Sequence, residues 1–219
     1  MNSIYAFVVG PLAWIAWGIF ILGSIYRLTS MYSLAKKKDG SSLYYMNWKY
    51  SLRSILHWLN PVGTLGWQRS PVTALVTFIF HICLVLVPIF LLGHVVLWDQ
   101  FFGISWPTIP ENISDILSIV VVVCCIYFGL RRFMQRDVRY LTSSKDWLAL
   151  AVPGLVFLTG VLAYHQIGDA TVMLTLHILC GEFMLASIPF TRLSHMLFTV
   201  FTRAYIGSEF GGVRRVKDW

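Results

Sequence analysis

Charge is scarce in this chain. Asp, Glu, Lys and Arg together make up 12% of its 219 residues, about half the share found in soluble globular domains. Acids are scarcer than bases, ten Asp and Glu against seventeen Lys and Arg. Hydrophobic residues reach 57% and mean hydropathy is +0.69, which excludes a soluble fold and a disordered chain alike. The four cysteines are Cys83, Cys124, Cys125 and Cys180. None has metal-site spacing and no CxxCH sequence occurs, so this chain is expected to carry neither an iron–sulfur cluster nor a covalently attached haem. All four lie in apolar runs and read as small buried hydrophobes. There is no HExxH pair, no Ser–His arrangement that stands out, and no internal repeat.

What is present is apolar sequence in long runs. A run of about 18 or more residues is long enough to cross a bilayer as a helix, and five occur, over about 5–26, 71–98, 113–130, 147–164 and 171–202. The expected fold is all-α: one membrane domain over 1–219, a bundle of five transmembrane helices. Aromatic residues are plentiful, as expected where rings anchor spans at the headgroups. A stretch that is apolar and basic together, about 43–59, reads as an interfacial helix on the membrane surface, stopped by Asn60-Pro61.

The basic residues set the orientation. Arg27, Lys36, Lys37, Lys38, Lys49, Arg53 and Arg69 fall between spans one and two. Arg131, Arg132, Arg136, Arg139 and Lys145 fall between spans three and four. Arg192, Arg203, Arg214, Arg215 and Lys217 fall in span five and the tail. These are all seventeen Lys and Arg. The N-terminal tip, the 99–112 loop and the 165–170 loop have none. The positive-inside rule then places the N-terminus outside and the C-terminus in the cytoplasm. It also accounts for the net charge of +7 without a nucleic-acid partner. Asp99, Glu111, Asp115 and Asp169 give the outer side a negative sign that suits a basic cytochrome c.

Histidines are few, six in all, but four fall inside spans, where an ionisable side chain is costly and points to function. His81 and His94 lie in span two; His177 and His195 lie in span five. The two spans run in opposite directions, so depth sorts the four into an outer layer, His94 with His177, and an inner layer, His81 with His195. On a continuous helix His177 and His195 are five full turns apart, on one face and separated by about 27 Å. Two imidazoles on opposite sides of one iron would hold haem b without covalent attachment. Gly93 and Gly181 would let a macrocycle approach the backbone, and Arg192 would pair with a haem propionate. His81 and His94 sit about 140° apart on a straight helix; Pro88 between them is expected to kink it and turn the two faces together.

Two more residues are candidates for quinone or proton chemistry. Glu182 is an acid inside a span, read either as a proton carrier or as a hydrogen-bonded acid. His165, at the outer edge, reads first as a solvated interface histidine. His57, on the interfacial helix, reads as a surface residue.

The segments LHILCGEFMLASIPFTRLSH in span five, FHICLVLVPIFLLGH in span two and FILGSIYR at the end of span one resemble the membrane cytochrome b subunits typified by the gamma subunit of respiratory nitrate reductase. The likeness covers nearly the whole chain in layout and is close in sequence only in those three spans. It implies a five-span subunit with two non-covalent b haems, the inner on His81 and His195 and the outer on His94 and His177. The span-two histidines here are three residues further apart than in nitrate reductase, and no lysine lies on the outer side. In these respects the chain is more similar to the cytochrome b subunits of sulfate-reducer transmembrane redox complexes. That resemblance implies a bacterial inner-membrane electron carrier of anaerobic respiration, with a periplasmic multihaem cytochrome c or quinol on one side and a cytoplasmic iron–sulfur subunit on the other. Menaquinone is the candidate quinone. The alternatives are a quinol-oxidising nitrate reductase subunit and, from another class, a small membrane transporter or metal carrier.

Overall fold

The computed structural model describes residues 3–38, 40–63 and 65–217, and every regular element among them is helical. Five helices are long and apolar enough to cross a membrane: α1, Ser3–Lys38; a second over Pro71–Phe90; a third over Glu111–Met134; a fourth over Ser144–Tyr164; and a fifth over Ala170–Phe190. Between 17% and 22% of each span's apolar window is buried within the protein. Most of the apolar surface therefore faces outward, as expected of helices that meet lipid. The chain is a multi-pass membrane protein.

Eight elements are used below. After α1 come α2 (Trp48–Trp58), α3 (Pro71–Phe90), α4 (Leu92–Phe102), α5 (Glu111–Met134), α6 (Ser144–Tyr164), α7 (Ala170–Ser187) and α8 (His195–Ile206). Helix α1 takes a π turn over Val8–Leu12, where Pro11 has no N–H to give. It continues well past the apolar run, to Lys38. Helix α6 starts from a capping box, Ser143 with Asp146.

The chain divides into two compact units, one of Met1–Trp14 and Val76–Met184, the other of Ile15–Leu75 and Leu185–Trp219. The core of the first joins Phe80, Cys83 and Val87 of α3, Val121, Cys124 and Cys125 of α5, and Val156 and Phe157 of α6. Gly154 of α6 brings the backbone close to Cys125, whose Sγ lies 3.5 Å from where a Cβ would stand. The cysteines are unbridged, three of them buried.

In the second unit α2 is turned inside out. Its buried residues are Ser51 and Ser54, while Trp48, Leu52, Leu56 and Trp58 are exposed. The serine face packs on α8 and the tail. Ser51 Oγ donates to the Ala204 carbonyl at 3.0 Å, and the Asn47 amide donates to Ser208 Oγ at 3.0 Å. Gly207 is required there, because a Cβ would fall 2.5 Å from Ser54 Cβ and 2.6 Å from the Tyr50 carbonyl oxygen. The outward apolar face suits a helix seated in the membrane interface.

Two spans depart from the sequence expectation. Span two breaks at Leu91 (ψ 131°), three residues beyond Pro88, and resumes as α4. Span five is not one helix. After α7 come two short 3₁₀ turns, Ile188–Phe190 and Arg192–Ser194, with Thr191 extended between them. Pro189 lacks the N–H to continue α7, and Thr191 Oγ1 caps the next turn by accepting from the Leu193 amide at 3.2 Å. The count of five unbroken turns between His177 and His195 therefore does not hold, nor does the separation built on it. Gly23 makes room for this corner: a Cβ there would lie 2.9 Å from Pro189 and 3.0 Å from the Phe190 ring.

Candidate functional site

The break at Leu91 is what positions His94. In an unbroken helix the carbonyls of residues 88, 89 and 90 would accept from the amides of 92, 93 and 94. Here the His94 amide turns back to the Leu91 carbonyl at 3.1 Å. The carbonyls of Pro88, Ile89 and Phe90 find other donors: His94 Nδ1 at 2.9 Å, the Trp106 indole at 2.8 Å, and the Ile109 amide at 2.9 Å. A carbonyl only accepts, so His94 carries its proton on Nδ1 and its lone pair on Nε2.

His177, on α7, is held by the neighbouring helix. Its Nδ1 donates to the Val156 carbonyl of α6 at 3.0 Å. Gly160 makes the approach possible, since a Cβ there would stand 3.0 Å from His177 Cε1 and 3.1 Å from its Nδ1. Sequence patterns single out neither Val156 nor Gly160.

The two rings come together. They are parallel to within 4°, with centres 6.1 Å apart, and both residues are half-buried. Two imidazoles bonded through Nε2 at about 2.0–2.1 Å on opposite sides of one metal ion, with about 1.1 Å from nitrogen to ring centre, would have centres about 6.2–6.4 Å apart. Offset rings in direct contact span a similar distance. What distinguishes this pair is that both Nδ1 atoms are engaged, while neither Nε2 makes a hydrogen bond among the described residues. Imidazoles with Nδ1 so engaged are of the chemical kind that ligates a metal through Nε2.

His81 and His195 belong to different units and are both exposed. His81 Nδ1 donates to the Thr77 carbonyl at 2.7 Å, with the Phe80 ring edge-on beside it. His195 opens α8, and its Nδ1 donates to the Arg192 carbonyl at 2.8 Å. These four histidines thus all engage Nδ1, but only His81 and His177 lie within helices long enough to span; His94 falls on α4 and His195 on α8, beyond the ends of the second and fifth spans. The other two bond through the opposite nitrogen. His57 Nε2 binds the Gly63 carbonyl at 2.8 Å. His165 Nε2 lies 3.0 and 3.1 Å from the two carboxylate oxygens of Asp115. It is paired rather than simply solvated.

At Gly93 and Gly181 a Cβ would meet nothing within 4 Å, so open space lies beside each. Arg192 is exposed and acts on His195 through its backbone carbonyl. Glu182 is 7% exposed, and neither carboxylate oxygen has a hydrogen-bond partner among the described residues. That removes the reading of an acid bonded to a nearby Ser or Thr. Among the described residues no three His, Cys, Asp or Glu converge as a protein-only metal site. An apolar cavity of about 240 Å³ opens between α6 and α7, lined by Leu148, Ala151, Val152, Leu155, Leu179, Cys180 and Phe183.

No family model matches the chain, and no solved structure matches it. It is 35% identical over 219 residues to a protein of Nitratidesulfovibrio vulgaris (strain Hildenborough) that carries only the name "Protein"; the match covers 96% of this chain and 97% of that one. The chain belongs to one family with that protein.

Proposed function

We propose that this member of the family shared with the Nitratidesulfovibrio protein is a dihaem b-type cytochrome. In this reading it is the membrane subunit of a respiratory redox complex in a bacterial inner membrane. It passes electrons between a periplasmic multihaem cytochrome c, or menaquinol, and a cytoplasmic iron–sulfur subunit docked on the basic loops. The observation that carries the reading is the His94–His177 pair, with parallel rings 6.1 Å apart and each Nδ1 on a backbone carbonyl. A metal-ligating histidine ordinarily gives its other N–H to such an acceptor, which fixes the ring and raises the basicity of the ligating nitrogen.

His94 and His177 would hold one haem, and His81 and His195 the other. When bound, a bis-imidazole b haem supplies a reversible one-electron couple with no coordination position open to a substrate. The chain's own part is to hold the rings, exclude water with an apolar wall, and set the potential through the Nδ1 acceptors. Two imidazoles per site suffice, because the porphyrin brings the remaining nitrogen ligands; three converging protein ligands are not required. Arg192 would pair with a propionate. Glu182 is the residue placed to exchange a proton inside a span, with His165 and Asp115 at the water boundary. The alternation of basic loops supports an outside N-terminus and a cytoplasmic C-terminus.

Replacing ligands tests the reading. Purified His177→Ala and His195→Ala proteins should each hold about one b haem where the parent holds two. Retention of both haems in either variant refutes the assignment, and a colourless parent protein favours the transporter class.

A further inference from the structure

The break in span two leaves three carbonyls without helical donors, and two of the replacements come from one loop. We infer that Trp106 is a positioning residue for His94: with the Ile109 amide it pins the broken end of α3, and so fixes the Pro88 carbonyl from which the imidazole hangs. This rests on the proposal that His94 is a haem ligand.

The geometry is local and complete. Trp106 Nε1 donates to the Ile89 carbonyl at 2.8 Å, and the Ile109 amide donates to the Phe90 carbonyl at 2.9 Å. The adjacent carbonyl, Pro88, takes His94 Nδ1 at 2.9 Å. A backbone carbonyl that loses its donor takes another within reach. Without the indole N–H, the carbonyl of Ile89, one residue along from Pro88, has no donor, and the turn re-forms around the nearest one. The His94 imidazole, already bonded to the adjacent Pro88 carbonyl, is a donor at that turn. The loop is built to deliver the indole: Gly103 ends α4 at φ +67°, a conformation that L side chains rarely adopt, and turns the chain back towards the break. Trp98 of α4 lies against the Trp106 ring, centres 6.0 Å apart.

The consequence falls on the ligand. A hydrogen bond from Nδ1 to a carbonyl gives an axial imidazole more electron density to donate and stabilises the oxidised metal. Weakening that bond should raise the potential of the haem that His94 holds and leave the other where it was.

The test is redox potentiometry with low-spin EPR on the purified full-length protein, comparing the parent with Trp106→Phe and Gly103→Ala. Trp106→Phe keeps the ring and deletes the donor. Gly103→Ala keeps the donor and strains the turn that presents it. The expected result is two b haems in each, with one potentiometric step moved to higher potential and one EPR signal shifted. Both changes should belong to the step that His177→Ala removes. Selective loss of that haem in Trp106→Phe supports the inference equally, and if that variant does not accumulate, Gly103→Ala decides alone. Two unmoved steps and two unchanged signals overturn the inference. A parent protein without b haem overturns instead the reading beneath it, and is seen before any variant is made.

Discussion

Gly160 of α6 stands against the imidazole of His177 so closely that a Cβ on it would lie 3.0 Å from Cε1. The helix gives up a side chain at this point so that a ring from α7 can reach the Val156 carbonyl. Gly160→Val is therefore expected to swing His177 off its acceptor. Haem content by pyridine haemochrome should fall from two per chain to about one, with the protein still folded by circular dichroism.

Gly207 has the same kind of close contact in the other unit, against a serine and a backbone carbonyl rather than a histidine. A Cβ there would sit 2.5 Å from Ser54 Cβ and 2.6 Å from the Tyr50 carbonyl oxygen. Over-packing of this sort costs about 1–3 kcal/mol. Gly207→Ala should lower the thermal midpoint in detergent and expose the tail to trypsin at Arg214 and Arg215.

His57 and His165 should be dispensable for haem. His57 and His165 each bond through Nε2, to Gly63 and to Asp115. The His165–Asp115 pair is 43% and 17% exposed, and pairs of that kind contribute about 0–1 kcal/mol. His57→Ala, His165→Ala and Asp115→Asn should each keep two haems, and Asp115→Asn should shift the melting curve only slightly.

Loop charge predicts which side is which. In intact cells Asn112→Cys should react with a membrane-impermeant maleimide applied from outside, while Gln135→Cys should react only after the membrane is opened. The reverse pattern contradicts the orientation.

Hydropathy carried the fold. Long apolar runs leave a helix no choice in lipid, and five were legible as spans. Sorting by depth brought out His94 with His177, because antiparallel spans share levels whatever their local geometry. The finer features had no periodic signal. Pro88 announced a kink in span two, yet the break falls at Leu91, where a distant indole and a loop amide replace helical donors. Pro189 interrupts span five, although the apolar run reads straight through it, because composition does not register one missing N–H. Gly160 and the Val156 carbonyl were silent for a related reason: a glycine's absent side chain and a backbone oxygen have no pattern to read. The ring nitrogen by which a histidine meets a backbone carbonyl, Nδ1 for His94 and His177, is likewise invisible to any sequence pattern.

The claim at the centre is that imidazoles from different spans clasp porphyrin iron in this protein. Its most direct measurement is the dithionite-reduced absorption spectrum of the purified chain, with haem counted against protein. The account predicts a b-type α band and two non-covalent protohaems per chain; a protein that purifies intact, folded and colourless would contradict it.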